Sequence, residues 1–284
     1  AGGSTDSISR ILAAKLTEYT GQQFVIDNRA GATGTIGHAL VARTPPDGYT
    51  LLIGSNSTFA IAPHLYKNLP YDSAAFAPIC LLAVSPQILS VHPSIPAKNV
   101  RELIALARAK PDALVFSSAG PGSTSHLATE LLMNMAGLKM VHIPYKGGGP
   151  SAQALLGGET MLSFVDVITA LPFAKAGRLR PLAASTTKRS QMMPELPTIA
   201  ESGLKGFGSS TTFAAFAPAG TSKEIVARLN KDLTRALAAA DVKEKLFNQG
   251  IETVGGSPEE FVAYNKAESA KWGKVIREQG IKIE

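Results

Sequence analysis

The stretch "LVFSSAGPGSTSHLATELL" (114–132) decides the fold. Five residues of strand character (114–118) run into a loop of glycine, proline, serine and threonine, and an amphipathic helical run follows. The same order of short Gly/Ser/Thr loop and helix start returns at "GGSTD" (2–6), "RAGATGTIG" (29–37), "GSNST" (54–58) and "YKGGGPS" (145–151). Each helix start exposes N–H groups without intrahelical partners and carries a partial positive charge, so the set is suited to holding an anion.

Outward from that unit, strand-like runs alternate with helical ones almost from end to end. Strands are predicted at 24–28 ("FVIDN"), 50–54, 78–84, 87–92, 114–118, 139–144, 161–166, 179–185 and 211–218, which argues an α/β architecture with largely parallel sheets. Two helix starts read as capping boxes, Thr221 with Glu224 and Ser257 with Glu260. Ile225, Val226, Leu229, Leu233, Ala236 and Leu237 recur at helical spacing, and the last helix carries Phe261, Tyr264, Trp272, Val275 and Ile276 as packing residues. Pro/Gly/Ser-rich segments at 93–100 and 217–222 are the expected crossings of a two-lobed chain, with residues 1–98 and 217–284 in one lobe and 99–216 in the other. Ligand pockets favour the cleft of such a clamp.

Composition narrows the function classes. A chain of 284 residues with 45% hydrophobic content fills proper cores. Runs such as "FAPICLLAV" are too short to cross a bilayer, and no charged-then-apolar leader stands at residue 1, so the protein is expected to be soluble and either cytosolic or already processed. The single cysteine, Cys80, reads as a small buried hydrophobe. Net charge is +6, but lysines and arginines are scattered rather than striped and do not interleave with aromatics, which argues against a nucleic-acid partner.

Spacing also excludes chemistry. Gly31, Gly34 and Gly37 run G-x-x-G-x-x-G, and Ser125 stands where "GPGSTS" would need a glycine or alanine, so neither loop is a dinucleotide fingerprint. A P-loop, a G-x-S-x-G elbow, an H-E-x-x-H helix and a cysteine pair are all absent, and the five histidines lack ligand spacing. Ser125 and His126 are neighbours on a helix start and point apart, which disfavours a nucleophile and base. The charged residues of the loops are Arg29, Lys146, Asp6 and Asp166. A small carboxylate is then held by N–H groups, hydroxyls and waters, with the acids orienting water or reading an amine. Asp6 also reads as a first-turn acid on a helix dipole, and Asp166 as a turn residue closing a strand.

The segments "GGSTD", "DNRAGATGTIGHALVARTPPDGYTLLIGS", "SSAGPGSTSHLATELL", "VHIPYKGGGPSAQALLGGE", "AKAGRLRPLAAS", "LPTIAESG" and "FAPAGT" together resemble the substrate-binding receptors of tripartite tricarboxylate transporters, the Bug proteins of Bordetella and its relatives. The likeness runs in order along essentially the whole chain. It implies a type II periplasmic-binding-protein fold, α/β, with two lobes around a ligand cleft and two crossings. It further implies a monomeric periplasmic receptor without cofactor, metal or catalytic residues, its signal peptide removed, delivering a small organic carboxylate to transporter subunits of the membrane or to a sensor.

Carried over residue by residue, the resemblance places ligand contacts on Gly3, Ser4, Thr5 and Asp6, then on Ser55, Asn56 and Ser57. Further contacts fall on Ser118, Gly122, Ser123, Thr124 and Ser125, on Tyr145, Gly147, Gly148 and Gly149, and on Asp166, Val167 and Ala170. Bridging waters complete the carboxylate's hydrogen bonds. Family members run a first strand into the "GGSTD" loop, so that strand is expected in front of residue 1. They also carry an aromatic pair where this chain reads "SSTTFAAFAPAGT", which implies a less aromatic pocket here. The alternatives are an α/β enzyme acting on a nucleotide or acyl substrate, and the effector domain of a transcription regulator.

Overall fold

The computed structural model describes residues 4–29 and 34–281. The chain divides into two compact units, one of Ala1–Val84 and Thr212–Gly273, the other of Ser85–Thr211 and Lys274–Ile283.

In unit 1, helix α1 (Ser4–Thr20) buries Ile8, Leu12 and Leu16 at four-residue spacing. These meet Leu233, Ala236 and Leu237 from α8 (Lys223–Ala238) and the inward residues of a sheet. That sheet has the order β1 (Leu52–Ser55), β8 (Thr211–Pro218), β2 (Phe76–Ser85), β9 (Glu252–Thr253). Burying each such aliphatic side chain stabilises the unit by roughly 1.5–3 kcal/mol. Helix α2 (Thr35–Val41), a π-turn at Ser57–Ile61 leading into α3 (Ala62–Leu65), α9 (Ala240–Phe247) and α10 (Pro258–Glu278) complete it, α10 ending in unit 2. Phe261 and Trp272 on α10 are fully buried, as their helical spacing predicts. Cys80 lies in the same core, its thiol pushed up to about 12 by burial.

Unit 2 is built on a five-stranded sheet of order β5 (Val141–Pro144), β4 (Val115–Ser118), β6 (Leu162–Asp166), β3 (Gln87–Val91), β7 (Arg180–Ala184). Helices α4 (Val100–Ala109), α5 (Thr124–Ala136), α6 (Gly148–Leu156) and α7 (Val167–Lys175) connect its strands. Asn99 and Glu102 cap α4 reciprocally, which turns Val100, Leu103 and Ala107 inward. Helix α5 is buried almost all round; its interior polar groups are satisfied locally, Thr129 Oγ1 donating to Ser125 O at 3.0 Å.

Several expectations change. Neither sheet is largely parallel, and that of unit 2 is mixed. β4 runs parallel to β5 and β6, but β3 is antiparallel to β6 and β7, and β1 is antiparallel to β8. β3 follows β2 without the intervening helix that a parallel crossover requires. The divisions fall at Val84/Ser85 and Thr211/Thr212, ahead of the expected crossings at 93–100 and 217–222, and α10 passes a third one at Gly273/Lys274. Pairing explains this: β3 belongs to the unit 2 sheet and β8 to the unit 1 sheet. Phe24–Asn28 forms no strand, since no described strand lies beside it; Val25 is exposed and the Phe24 N–H is bonded to Thr17 Oγ1. Ser257 and Glu260 make their capping box, whereas α8 is capped by Ser222, one residue beyond Thr221, whose hydroxyl donates to Pro218 O.

Candidate functional site

The unit 2 sheet sets the site geometry. β4, β5 and β6 are parallel, so their C-terminal ends lie at one edge, and from that edge α5, α6 and α7 start. The antiparallel β3 begins there too, with Gln87 opposite Asp166. One edge thus gathers Tyr145, Ser118, Asp166 and Gln87 beside three helix N-termini. The carboxyl ends of parallel strands are where α/β sheets bind ligands, and helix N-termini favour anions.

The loop after β4 is internally bonded. Ser123 caps α5, accepting from the His126 N–H at 3.3 Å, and its hydroxyl lies 3.2 Å from that of Ser125. Ser125 Oγ accepts from the Ala119 N–H at 3.0 Å. Gly122 adopts φ +74°, a backbone region that suits glycine, and its N–H donates to His126 Nδ1 at 3.1 Å. Thr124 and Ser125 are buried. Ser118 is fully buried, with its Oγ 2.7 Å from His142 Nε2 and accepting from the Gly120 N–H at 3.1 Å. The sequence reading missed His142, because it lies sixteen residues from His126 and only the β4–β5 pairing brings the two rings together. Burial, with His126 beside it, holds the His142 imidazole down to about 4.

The next loop ties into the first, with the Tyr145 N–H donating to Ser118 O and the Gly147 N–H to Ala119 O at 3.0 and 3.1 Å. Gly147 precedes α6 at φ +113°, and Gly148 and Gly149 open that helix at its solvent-facing end. Asp166 stands at the start of α7; a Cβ on Gly148 would sit 3.9 Å from its Oδ2. Burial pushes the Asp166 carboxyl above the usual carboxylate range, and the Gln87 Nε2 donor at 3.4 Å opposes that shift. Gln87 is itself 5% exposed and its Oε1 has no partner. The strand register that places it there is not visible in sequence. Val167 and Ala170 are fully buried, Val167 donating its N–H to Pro86 O, so both support α7 by packing.

In unit 1, Ser4, Thr5 and Asp6 form the first turn of α1, while Gly3 and Gly31 lie outside the described residues. Asp6 is buried and bonded by Asn28 Nδ2 and Arg10 Nε, each at 2.8 Å. Ser55 ends β1, Ser57 opens the π-turn, and the buried Asn56 between them accepts from the Thr212 N–H at 3.3 Å. Behind them His38 is buried among Tyr71 and Phe76, and a Cβ on Gly54 would meet its Nε2 at 2.9 Å. Burial lowers this imidazole to about 4. Among the described residues no cluster of three or more His, Cys, Asp or Glu is placed to hold a metal ion.

These strand-end loops and their order along the chain match a known family. The tripartite tricarboxylate transporter family receptor model matches residues 8–281. The chain belongs to that family. Among solved structures it is similar to Rpa4515 of R. palustris with adipate, at 40% identity and TM-score 0.85, covering 99% of this chain and 95% of that one. The periplasmic binding protein BugD is 33% identical with TM-score 0.81, over 100% and 96% of the two chains. MatC from Rhodopseudomonas palustris with bound malate is 31% identical with TM-score 0.80, over 97% and 95%. The family is one of transporter receptors, and the receptor fold of periplasmic binding proteins is the fold of this chain.

Proposed function

We propose that the protein is a non-catalytic periplasmic receptor, acting as a monomer, that captures a small dicarboxylate and delivers it to a membrane transporter of the tripartite tricarboxylate type. The observation that carries this is the edge of the unit 2 sheet, where three helix N-termini open beside hydroxyl groups. Such an edge holds a carboxylate by N–H donors and waters without an arginine clamp. The adipate and malate held by two relatives support a dicarboxylate ligand. Contacts are drawn from Gly3–Asp6 and Ser55–Ser57 in unit 1 and from the loops at Ser118–Ser125, Tyr145–Gly149 and Asp166 in unit 2. Ligand binding selects the form that the transporter reads.

The non-catalytic part of the reading rests on the family, which is one of transporter receptors. The test is a thermal-shift panel of malate, adipate, glutamate, ATP and NAD on the full chain. A dicarboxylate at about 100 times its Kd adds about 2.7 kcal/mol, a shift of several degrees. Stabilisation by the nucleotides alone would overturn the reading.

A further inference from the structure

Two imidazoles lie face to face beneath the unit 2 loops. The rings of His126 and His142 are 4.1 Å apart and within 11° of parallel, and Phe116 of β4 stacks on His142 at 4.7 Å. Their outward nitrogens reach the two ends of the loop after β4. His126 Nδ1 accepts from the Gly122 N–H at 3.1 Å, and His142 Nε2 meets Ser118 Oγ at 2.7 Å. On the far side of its ring, His126 Nε2 lies 3.3 Å from Glu130 Oε1, one turn along α5.

These bonds fix the protonation pattern. An Nδ1 that accepts from a backbone N–H carries no proton, so the His126 proton is on Nε2, which faces Glu130 Oε1. The His126 ring is therefore neutral when the loop is formed. A proton added at His126 Nδ1 turns an acceptor into a donor that faces the Gly122 N–H, and Glu130 balances the new charge from the other side of the ring. A second proton on His142 would set two parallel cations 4.1 Å apart. Glu130 faces the pair from α5, and β4 presents Phe116 and Ser118.

We propose that His126 and His142 are positioning residues which hold the Gly122–Ser125 loop in its ligand-binding form, so that protonation of His126 opens the loop and releases the ligand in acid. The proposal rests on the carboxylate-receptor reading above and adds to it a proton-linked control inside unit 2. Neither ring touches ligand. Each acts through the backbone or hydroxyl it holds.

The experiment has two arms, read separately. In the first, long-range nitrogen–proton NMR of the full chain at pH 7.5, without ligand, reports the ring tautomers. The expected result is a His126 Nδ1 with the shift of an unprotonated, hydrogen-bonded nitrogen and a protonated Nε2; the reverse tautomer overturns the proposal whether or not any ligand binds. In the second, calorimetric titration with adipate from pH 8 to 4.5 compares wild type with His126→Asn and His126→Leu, with circular dichroism confirming the fold at each pH.

The Asn Oδ1 stands close to the place of Nδ1 and accepts without titrating. Ionisation of adipate is common to all three proteins and cancels in their ratios. His126→Leu is expected to weaken adipate about tenfold at neutral pH, and His126→Asn to restore most of that loss. Wild type is expected to lose about tenfold more affinity than His126→Asn between pH 7.5 and 4.5. Equal acid loss in wild type and His126→Asn overturns the proposal. A wild type that binds no adipate at pH 7.5 counts against adipate as the ligand, while the NMR arm still decides the histidine pair.

Discussion

Each unit places a carboxylate at the start of a helix, and the two are treated in opposite ways. Asp6, in the first turn of α1, is held by Asn28 and Arg10 at 2.8 Å each and lies where a helix dipole favours its charge. Asp166, at the start of α7, has one long bond from Gln87, and burial raises its pKa. Asp6 is thus a tied-down anion that links the start of α1 to Asn28 and Arg10. Asp166 is a carboxyl with spare hydrogen-bonding capacity, beside an equally unsatisfied Gln87 Oε1. A saturated polar group stabilises its surroundings, whereas an unsaturated one is available to a ligand at some cost to the fold.

The largest expected effect concerns the histidine behind each site. His38 in unit 1 and His142 in unit 2 are both lowered to about 4, so the unfolded chain takes up protons that the native chain refuses. Stability therefore declines as pH falls from about 6.5 and levels off near 4, with roughly 3 kcal/mol from the more deeply buried His38. Urea unfolding at stepped pH checks this; His38→Asn, which keeps a donor for Gly34 O and does not titrate, flattens the curve. Next comes Asp6→Ala, which removes the bonds from Asn28 and Arg10 and costs about 2 kcal/mol in the same assay.

Asp166→Asn has the opposite sign. A carboxyl with a raised native pKa lowers stability as pH rises through the window above 3.8, so its removal raises Tm at pH 7. The gain vanishes below that window, while affinity for dicarboxylates changes. The smallest effect is that of Gln87→Leu, within about 1 kcal/mol in stability, with a further rise of the Asp166 pKa read by carboxyl carbon NMR. If Asp6→Ala and Asp166→Asn shift stability in the same direction, the contrast between the two acids fails.

The donor-rich loops and the strands that carry them are readable from sequence because glycine, serine and threonine after a short apolar run leave few other conformations open. The apolar stripe of α8 is equally plain, since Leu233, Ala236 and Leu237 recur at helical spacing and are buried. What fails is everything that depends on a partner distant in the chain. Phe24–Asn28 has strand composition and no described neighbour to pair with. Gln87 faces Asp166 only through an antiparallel register, and His142 reaches His126 only because β5 lies beside β4. Conversely, Gly122 reads in sequence as a ligand contact, and in the fold its N–H is engaged by His126.

A crystal structure of the full chain grown with adipate or malate tests the binding edge at first hand. One dicarboxylate is expected, with a carboxylate of it within hydrogen-bond reach, directly or through one water, of the loops that open α5 and α6. A dicarboxylate absent from those loops at saturating concentration, or bound away from them, would refute the receptor site described above.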